Sequence, residues 1–226
     1  MIPGLLESLD IPYTGAGILG ETLAYNKFLV KDLLQSHGIP VPHCQLMSSP
    51  NTVLDFKLRF PLIGKLNEIH GSVEITKDAV SNNEKHLRDR LKFLINTYKQ
   101  PVLVEEFIAG REITAIVLEG FNRKVYLAEK VFKEENNPNQ IASFEYQWNE
   151  VVVYKKYDDA LLVDVCKKAF DILKMSDYGK FDVRLDISGR HYFVDANSNP
   201  AFGPKELDCA ISSILGLYGI DFNEIL

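Results

Sequence analysis

The sequence predicts an α+β fold built mainly on antiparallel sheets, and three observations predict it. Strand-like runs come in adjacent pairs rather than in strict strand–helix–strand alternation. Amphipathic helical stretches with a charged face separate those pairs. The chain has 226 residues, 46% hydrophobic and 25% charged, enough for one large domain or two small lobes.

Along the chain, "MIPGLLES" is helix-like and "IPYTG" reads as a short strand closing on a turn. "ETLAYNKFLVKDLLQSHG", residues 21–38, has apolar residues at helical spacing and a glycine stop. The prolines of "IPVPHCQLM" disfavour helix and predict an extended segment. "FPLIGKL" and "SVEIT" read as paired strands, followed by the amphipathic helix "NNEKHLRDRLKFLINTYK". "QPVLVEEFI" is a β-branched strand running into two glutamates, and "GREITAIVLEG" with "KVYLAEKVF" reads as an antiparallel pair. The polar stretch from Lys133 to Asn149 is longer than a tight hairpin needs, as functional loops often are. The helix "DDALLVDVCKKAFDILKM" then precedes the hairpin "GKFDVRLDIS"–"RHYFVDAN", turning at Ser188–Gly189.

The net charge of −6 argues against a general nucleic-acid binder, which needs a basic face. Three scattered cysteines, Cys44, Cys166 and Cys209, match neither a zinc spacing nor a disulfide framework and fit a reducing cytoplasm. No stretch of these residues reads as a signal peptide or as a twenty-residue apolar run.

Chemistry concentrates at the last hairpin. Antiparallel pairing about Gly189 brings Asp182 beside Asp195, and alternation puts Asn197 on the same face as Asp195. Two carboxylates and an amide oxygen suit Mg²⁺, which takes one or two carboxylates plus phosphates and water. Strand-end capping is the alternative. Lys65 lies in a mostly apolar strand, so its charge points into a cleft or off an edge. Gly71–Ser72 offers N–H groups and a hydroxyl to phosphate, or is an ordinary turn. Lys27 adds a charge on the early helix. Glu105–Glu106 marks either a solvent end or a hinge reading an adenine edge, with Glu112 beside it for ribose hydroxyls.

The order Lys27, Lys65, Gly71–Ser72, "VLVEEFIAGREIT", "KFDVRLD", "FVDANSNPAFGP" resembles the ATP-grasp superfamily, specifically the D-alanine–D-alanine ligase family, over nearly the whole chain. The resemblance implies two α+β lobes clamping a nucleotide. Residues 1–20 would be the remnant of an N-terminal substrate domain, 21–104 the central lobe and 105–226 the C-terminal lobe. Lys27 and Lys65 would contact ATP phosphates under a loop bearing Ser72. Glu105, Glu106, Phe107 and Ile108 would line the adenine site, with Glu112 on the ribose. Asp182, Asp195 and Asn197 would hold one or two Mg²⁺, replaceable by Mn²⁺. Lys180 stands where the family usually carries an arginine that stabilises the transition state.

The implied reaction is carboxylate–amine ligation through an acylphosphate, on a small amino-acid-like substrate. The sequence also departs from the family pattern. The glycine loop keeps one glycine and one serine, with Glu74 bringing a negative charge close by. Pro200-Ala201-Phe202 replaces the usual small-residue turn. Lys205 and Glu206 replace a carboxylate-binding serine, and "SFEYQWNE", which carries Tyr146, lacks the family's lid lysine. Altered acceptor recognition is therefore expected. The rivals are a truncated or degenerate nucleotide binder, or one half of a two-chain enzyme whose partner covers the apolar residues Ile2–Leu9 and Ile11–Tyr13; a homodimer is the other partner expected from the resemblance.

Overall fold

The computed structural model describes residues 2–69, 71, 73–120, 123–132, 152–207 and 209–225. The anticipated helix over 21–38 is two helices, α2 (Ile18–Tyr25) and α3 (Lys27–Ser36), after a short α1 (Ile2–Ser8). The break falls at Asn26, whose side chain accepts a hydrogen bond from the Leu29 amide at 3.1 Å and so caps α3. Residues 11–13 form no strand.

Strands β1 (Cys44–Met47), β2 (Leu62–Leu66), β3 (Val80–Ser81) and β4 (Val102–Glu106) make an antiparallel sheet ordered β1-β4-β2-β3. "SVEIT" is not β2's partner. Glu74 adopts φ 61°, which breaks an extended run, and β3 pairs with β2 instead. Helix α4 (Glu84–Tyr98), capped by Asn83, covers this sheet through Leu87, Leu91 and Leu94.

The second sheet holds β5 (Arg111–Leu118), β6 (Lys124–Val131), β7 (Val153–Lys156), β8 (Tyr178–Leu185) and β9 (His191–Asn197), ordered β7-β6-β5-β8-β9 and antiparallel throughout. Its alternation separates two cores. Ile113, Ala115, Val117, Phe181 and Val183 face a core shared with α2, α3 and α5 (Ala160–Ile172). Ile116, Leu118 and Tyr178 face α6 (Ala210–Leu217). The polar residues Glu112, Thr114, Lys180, Asp182 and Arg184 share the α6-side parity, at the end where that helix no longer covers the sheet.

Phe170 of α5 is fully buried and packs against Gly179, where an added Cβ would come within 3.2 Å of its ring. Phe170→Ala is expected to lower unfolding stability by about 3–5 kcal/mol. Urea unfolding with an unchanged slope is the check, and a loss below about 1 kcal/mol would contradict the packing described.

Candidate nucleotide-binding cleft

The cleft opens between the two sheets and contains about 770 Å³ of empty space, part of it open to solvent. Register builds its floor. β8 pairs with β9 so that Asp182 stands opposite Asp195, and a bulge between Asp182 and Val183 leaves Val194 as the extra residue. Val194 and Asp195 therefore both line the cleft. On the other side of β8, Thr114 of β5 stands opposite Asp182 and Glu112 opposite Arg184. β6 sets Lys130 against Glu112.

The side chains form a connected ionic network. Asp182 accepts from Lys180 and, at 3.0 Å, from Thr114 Oγ1. Glu112 is buried, with one oxygen on Lys130 and the other 3.0 Å from Arg184 Nη1. Arg184 also donates to the carbonyls of Ile108 (3.0 Å) and Gly110 (3.2 Å), and its guanidinium lies 5.1 Å from the Phe107 ring centroid. The Gly110 contact is tight. Its φ is 137°, and an added Cβ would come within 1.9 Å of the Leu185 carbonyl, so glycine is required.

Helix α3 bridges the sheets. Its N-terminus docks on Asn67, which accepts from the Phe28 amide at 2.9 Å. Lys27 donates to Ile69 O at 2.7 Å and stands 3.4 Å from Asp195 Oδ1. One turn on, the fully buried Lys31 donates to Phe193 O at 2.7 Å. Lys31 also lies 3.2 Å from Glu105 Oε2, an ion-pair distance without hydrogen-bond alignment. The other Glu105 oxygen is bonded to Lys65.

Burial works against ionisation of Glu105, Glu112, Asp182 and Asp195, yet all four are held below the usual carboxylate range. Lys31 and Lys65 do this for Glu105, and Lys130 and Arg184 for Glu112. Lys180 and Lys130 act on Asp182, and Lys27 and Lys180 on Asp195. Burial pulls Lys31 down despite Glu105, whereas Asp182 raises Lys180 against the burial penalty and Glu112 does the same for Lys130.

A carboxylate whose folded pKa is depressed stabilises the fold fully above its unfolded value near 4, and that stability is lost as pH falls towards the folded value. Chemical denaturation is therefore expected to give steady stability from about pH 7 to 5 and a decline below about pH 4. Stability that rises on acidification would contradict the network.

The structure thus gathers Lys27, Lys65, Glu105, Glu106, Phe107, Ile108, Glu112, Asp182 and Asp195 at one cleft, with Lys180 bonded to Asp182 beneath it. Glu106 sits at the edge, its carboxylate accepting the Arg59 amide at 2.8 Å. Asn197 stands opposite Lys180 in the ladder, and its Oδ1 accepts the Asn199 amide at 3.0 Å in a local turn. Glu206 is exposed in a short 3₁₀ turn, Lys205–Leu207, outside the cleft lining. Ser72 and Tyr146 lie outside the described residues. Glu74 is a correction: it does not face the cleft but is bonded to Arg90 and Tyr98 of α4.

Sequence reasoning passed over Lys31, Lys130 and Arg184. Alternation from Lys180 and Asp182 reaches Arg184, and helical spacing from Lys27 reaches Lys31, so both had a signal. Lys130 had none, because only the β5–β6 register places it.

Two antiparallel sheets facing one another across a lysine- and carboxylate-lined cleft define the ATP-grasp fold. Solved structures agree in fold. D-alanine–D-alanine ligase from Bacillus anthracis complexed with ATP superposes with TM-score 0.77 at 21% identity, covering 100% of this chain and 71% of that one. VanG D-Ala:D-Ser ligase from Enterococcus faecalis gives 0.79 at 20%, covering 100% and 66%.

The family model described as D-ala D-ala ligase C-terminus matches residues 33–225. D-alanine–D-alanine ligase of Pseudomonas entomophila is 31% identical over 226 residues, 99% of this chain and 69% of the relative. An uncharacterized protein of Sinorhizobium fredii is 29% identical over 208 residues, 88% of this chain and 60% of that protein. The chain belongs to the D-alanine–D-alanine ligase family and spans 60–69% of the length of these two relatives. No described helix is long and apolar enough to cross a membrane.

Proposed function

We propose that this chain binds ATP in the cleft and ligates a carboxylate to an amine through an acylphosphate, with acceptor recognition altered from that of D-alanyl-D-alanine formation. The observation that carries the reading is the facing pair Asp182–Asp195 with Lys27 and Lys65 on the same cleft. Lys27 and Lys65 would bind the phosphates and Glu105 would hold Lys65 in place. Phe107 and Ile108 would flank the base. Glu112, with both oxygens engaged, would reach the ribose only alongside its bonds to Lys130 and Arg184.

A divalent cation fits the donors present. Among the described residues no three His, Cys, Asp or Glu side chains form a closed metal cage. A pair of hard carboxylates instead leaves coordination positions for phosphate oxygens and water, as Mg²⁺ or Mn²⁺ requires. Asp195 is supported as a ligand by facing the cleft with its nearest cation at 3.4 Å. Asp182 and Asn197 would join it, Asn197 through the second lone pair of its oxygen. The bound ion would neutralise phosphate charge.

In the first step a substrate carboxylate oxygen bonds to the γ-phosphorus as the bond to ADP breaks. In the second, an amine attacks the acyl carbon, phosphate leaves, and the amine gives up a proton. Lys180, bonded to Asp182, would offset the negative charge developing on the transferred group. Positioning by this fixed ionic frame supplies most of the catalysis in such a transfer.

Altered acceptor recognition is supported by Phe202, whose ring packs against Tyr178 at 4.9 Å and Phe222 at 5.1 Å where the family has a small-residue turn. The lobe division near residue 104 is supported by the switch from β4 to β5, although α2 and α3 pack into the core of the second sheet. A second body, either a domain or another copy of the chain, is supported by the exposure of Ile2, Leu5, Leu9 and Leu19, each more than half accessible. A cytoplasmic setting is part of the same reading.

Calorimetry with ATP and Mg²⁺ tests binding, and no heat at millimolar nucleotide would overturn it. ADP release that depends on an added amino acid separates a ligase from a bare binder. Release with D-alanine alone would overturn the altered-acceptor part.

A further inference from the structure

The loop after β2 is tied down at both ends. Lys27 donates to the Ile69 carbonyl at 2.7 Å. Five residues later Glu74 is gripped by α4. Tyr98 OH donates to Glu74 Oε1 at 2.7 Å, Arg90 Nη1 lies 3.4 Å from Oε2, and Arg90 Nη2 donates to the Glu74 carbonyl. Arg90 is itself buried, with its guanidinium 5.5 Å from the Phe93 ring centroid, so the grip is anchored in α4.

Glu74 has φ 61°, a left-handed conformation that glycine takes freely and that a Cβ disfavours. A residue bearing a side chain persists there when its surroundings over-determine it. Its neighbours Val73 and Ile75 both line the cleft while Glu74 does not. The left-handed residue thus turns one side chain outward onto α4 and two inward.

We infer that Glu74 is a positioning residue: clamped by Arg90 and Tyr98, it holds Val73 and Ile75 against the nucleotide cleft. Its carboxylate is neutralised on α4 rather than repelling phosphate. The clamp orders the loop before ligand arrives, so less ordering remains to be done on binding. The affinity consequence rests on the nucleotide reading above; the ordering consequence does not.

Glu74→Gly separates clamp from fold, because glycine accepts the backbone angle while losing both side-chain contacts. Thermal stability is expected to change little, relief of the left-handed backbone offsetting the lost Arg90 and Tyr98 contacts. Amide exchange at residues 73–76, measured without nucleotide, is expected to accelerate about tenfold or more. ATP Kd is expected to rise about fivefold or more, with Tyr98→Phe shifting both readouts the same way by less and Glu74→Gln restoring part of each. Unchanged exchange in Glu74→Gly overturns the clamp. Faster exchange with unchanged ATP Kd overturns its positioning role. If the wild-type chain binds no ATP, that failure belongs to the nucleotide reading, and the exchange comparison alone decides whether Glu74 orders the loop.

Discussion

Replacing Glu105 by glutamine is expected to cost about 3–5 kcal/mol of stability, the largest effect of any single substitution at the cleft. Glu105 is 1% exposed and stands between two cations, Lys31 at 3.2 Å and Lys65. Glutamine keeps the volume and removes the charge. Lys31, itself 2% exposed, would then be a buried ammonium facing Lys65, left with the Phe193 carbonyl bond and a neutral amide oxygen in place of its counter-ion. Burial already pulls Lys31 downward and Lys65 adds to that, so the variant is expected to recover stability as pH rises and Lys31 loses its proton. Adding Lys31→Met removes the stranded charge, and the double variant is expected to be more stable than Glu105→Gln alone. Urea unfolding of the single variants and the pair gives the coupling. A loss under about 1 kcal/mol for Glu105→Gln would show that the triad is not what holds α3 to the first sheet.

Asp195→Ala is expected to weaken Mg²⁺-dependent ATP binding by about 100-fold or more, while leaving the fold in place. The two halves have separate physical grounds. Asp195 lies on the cleft opposite Asp182, and loss of one carboxylate leaves a cation with a single charged protein ligand. Its side chain is about one-third exposed, and Lys27 retains its 2.7 Å bond to Ile69 O. Calorimetry with and without Mg²⁺, alongside a melting curve, distinguishes loss of the site from loss of the fold. Equal affinity in variant and wild type would remove Asp195 from the metal set.

Much of the cleft was legible in the sequence because its residues recur at strand periodicity. Lys180 and Asp182 declare one face of β8, and a turn at Gly189, with φ 81°, brings Asp195 opposite Asp182. The adjacency of β5 and β6 and the extended β4 are also local properties. Where local reading failed, a side chain or a register intervened. Asn26 split an apparently continuous helix by capping its second half, and "SVEIT" lost its strand to the left-handed Glu74.

By itself, then, the sequence determined the alternation of elements, the face on which each strand carries its charges, and the order of motifs that marks the family. Only the tertiary structure decided which charges neutralise which. The Lys31–Glu105–Lys65 triad joins residues from α3, β2 and β4. Glu112 is claimed by Lys130 from one neighbouring strand and Arg184 from the other, and Glu74 is claimed by α4. The reason is physical. Periodicity reports only which side of an element a residue occupies. The energy of a buried ion depends on partners within a few ångströms, and chain folding brings these together from as far apart as Lys27 and Asp195, 168 positions in sequence.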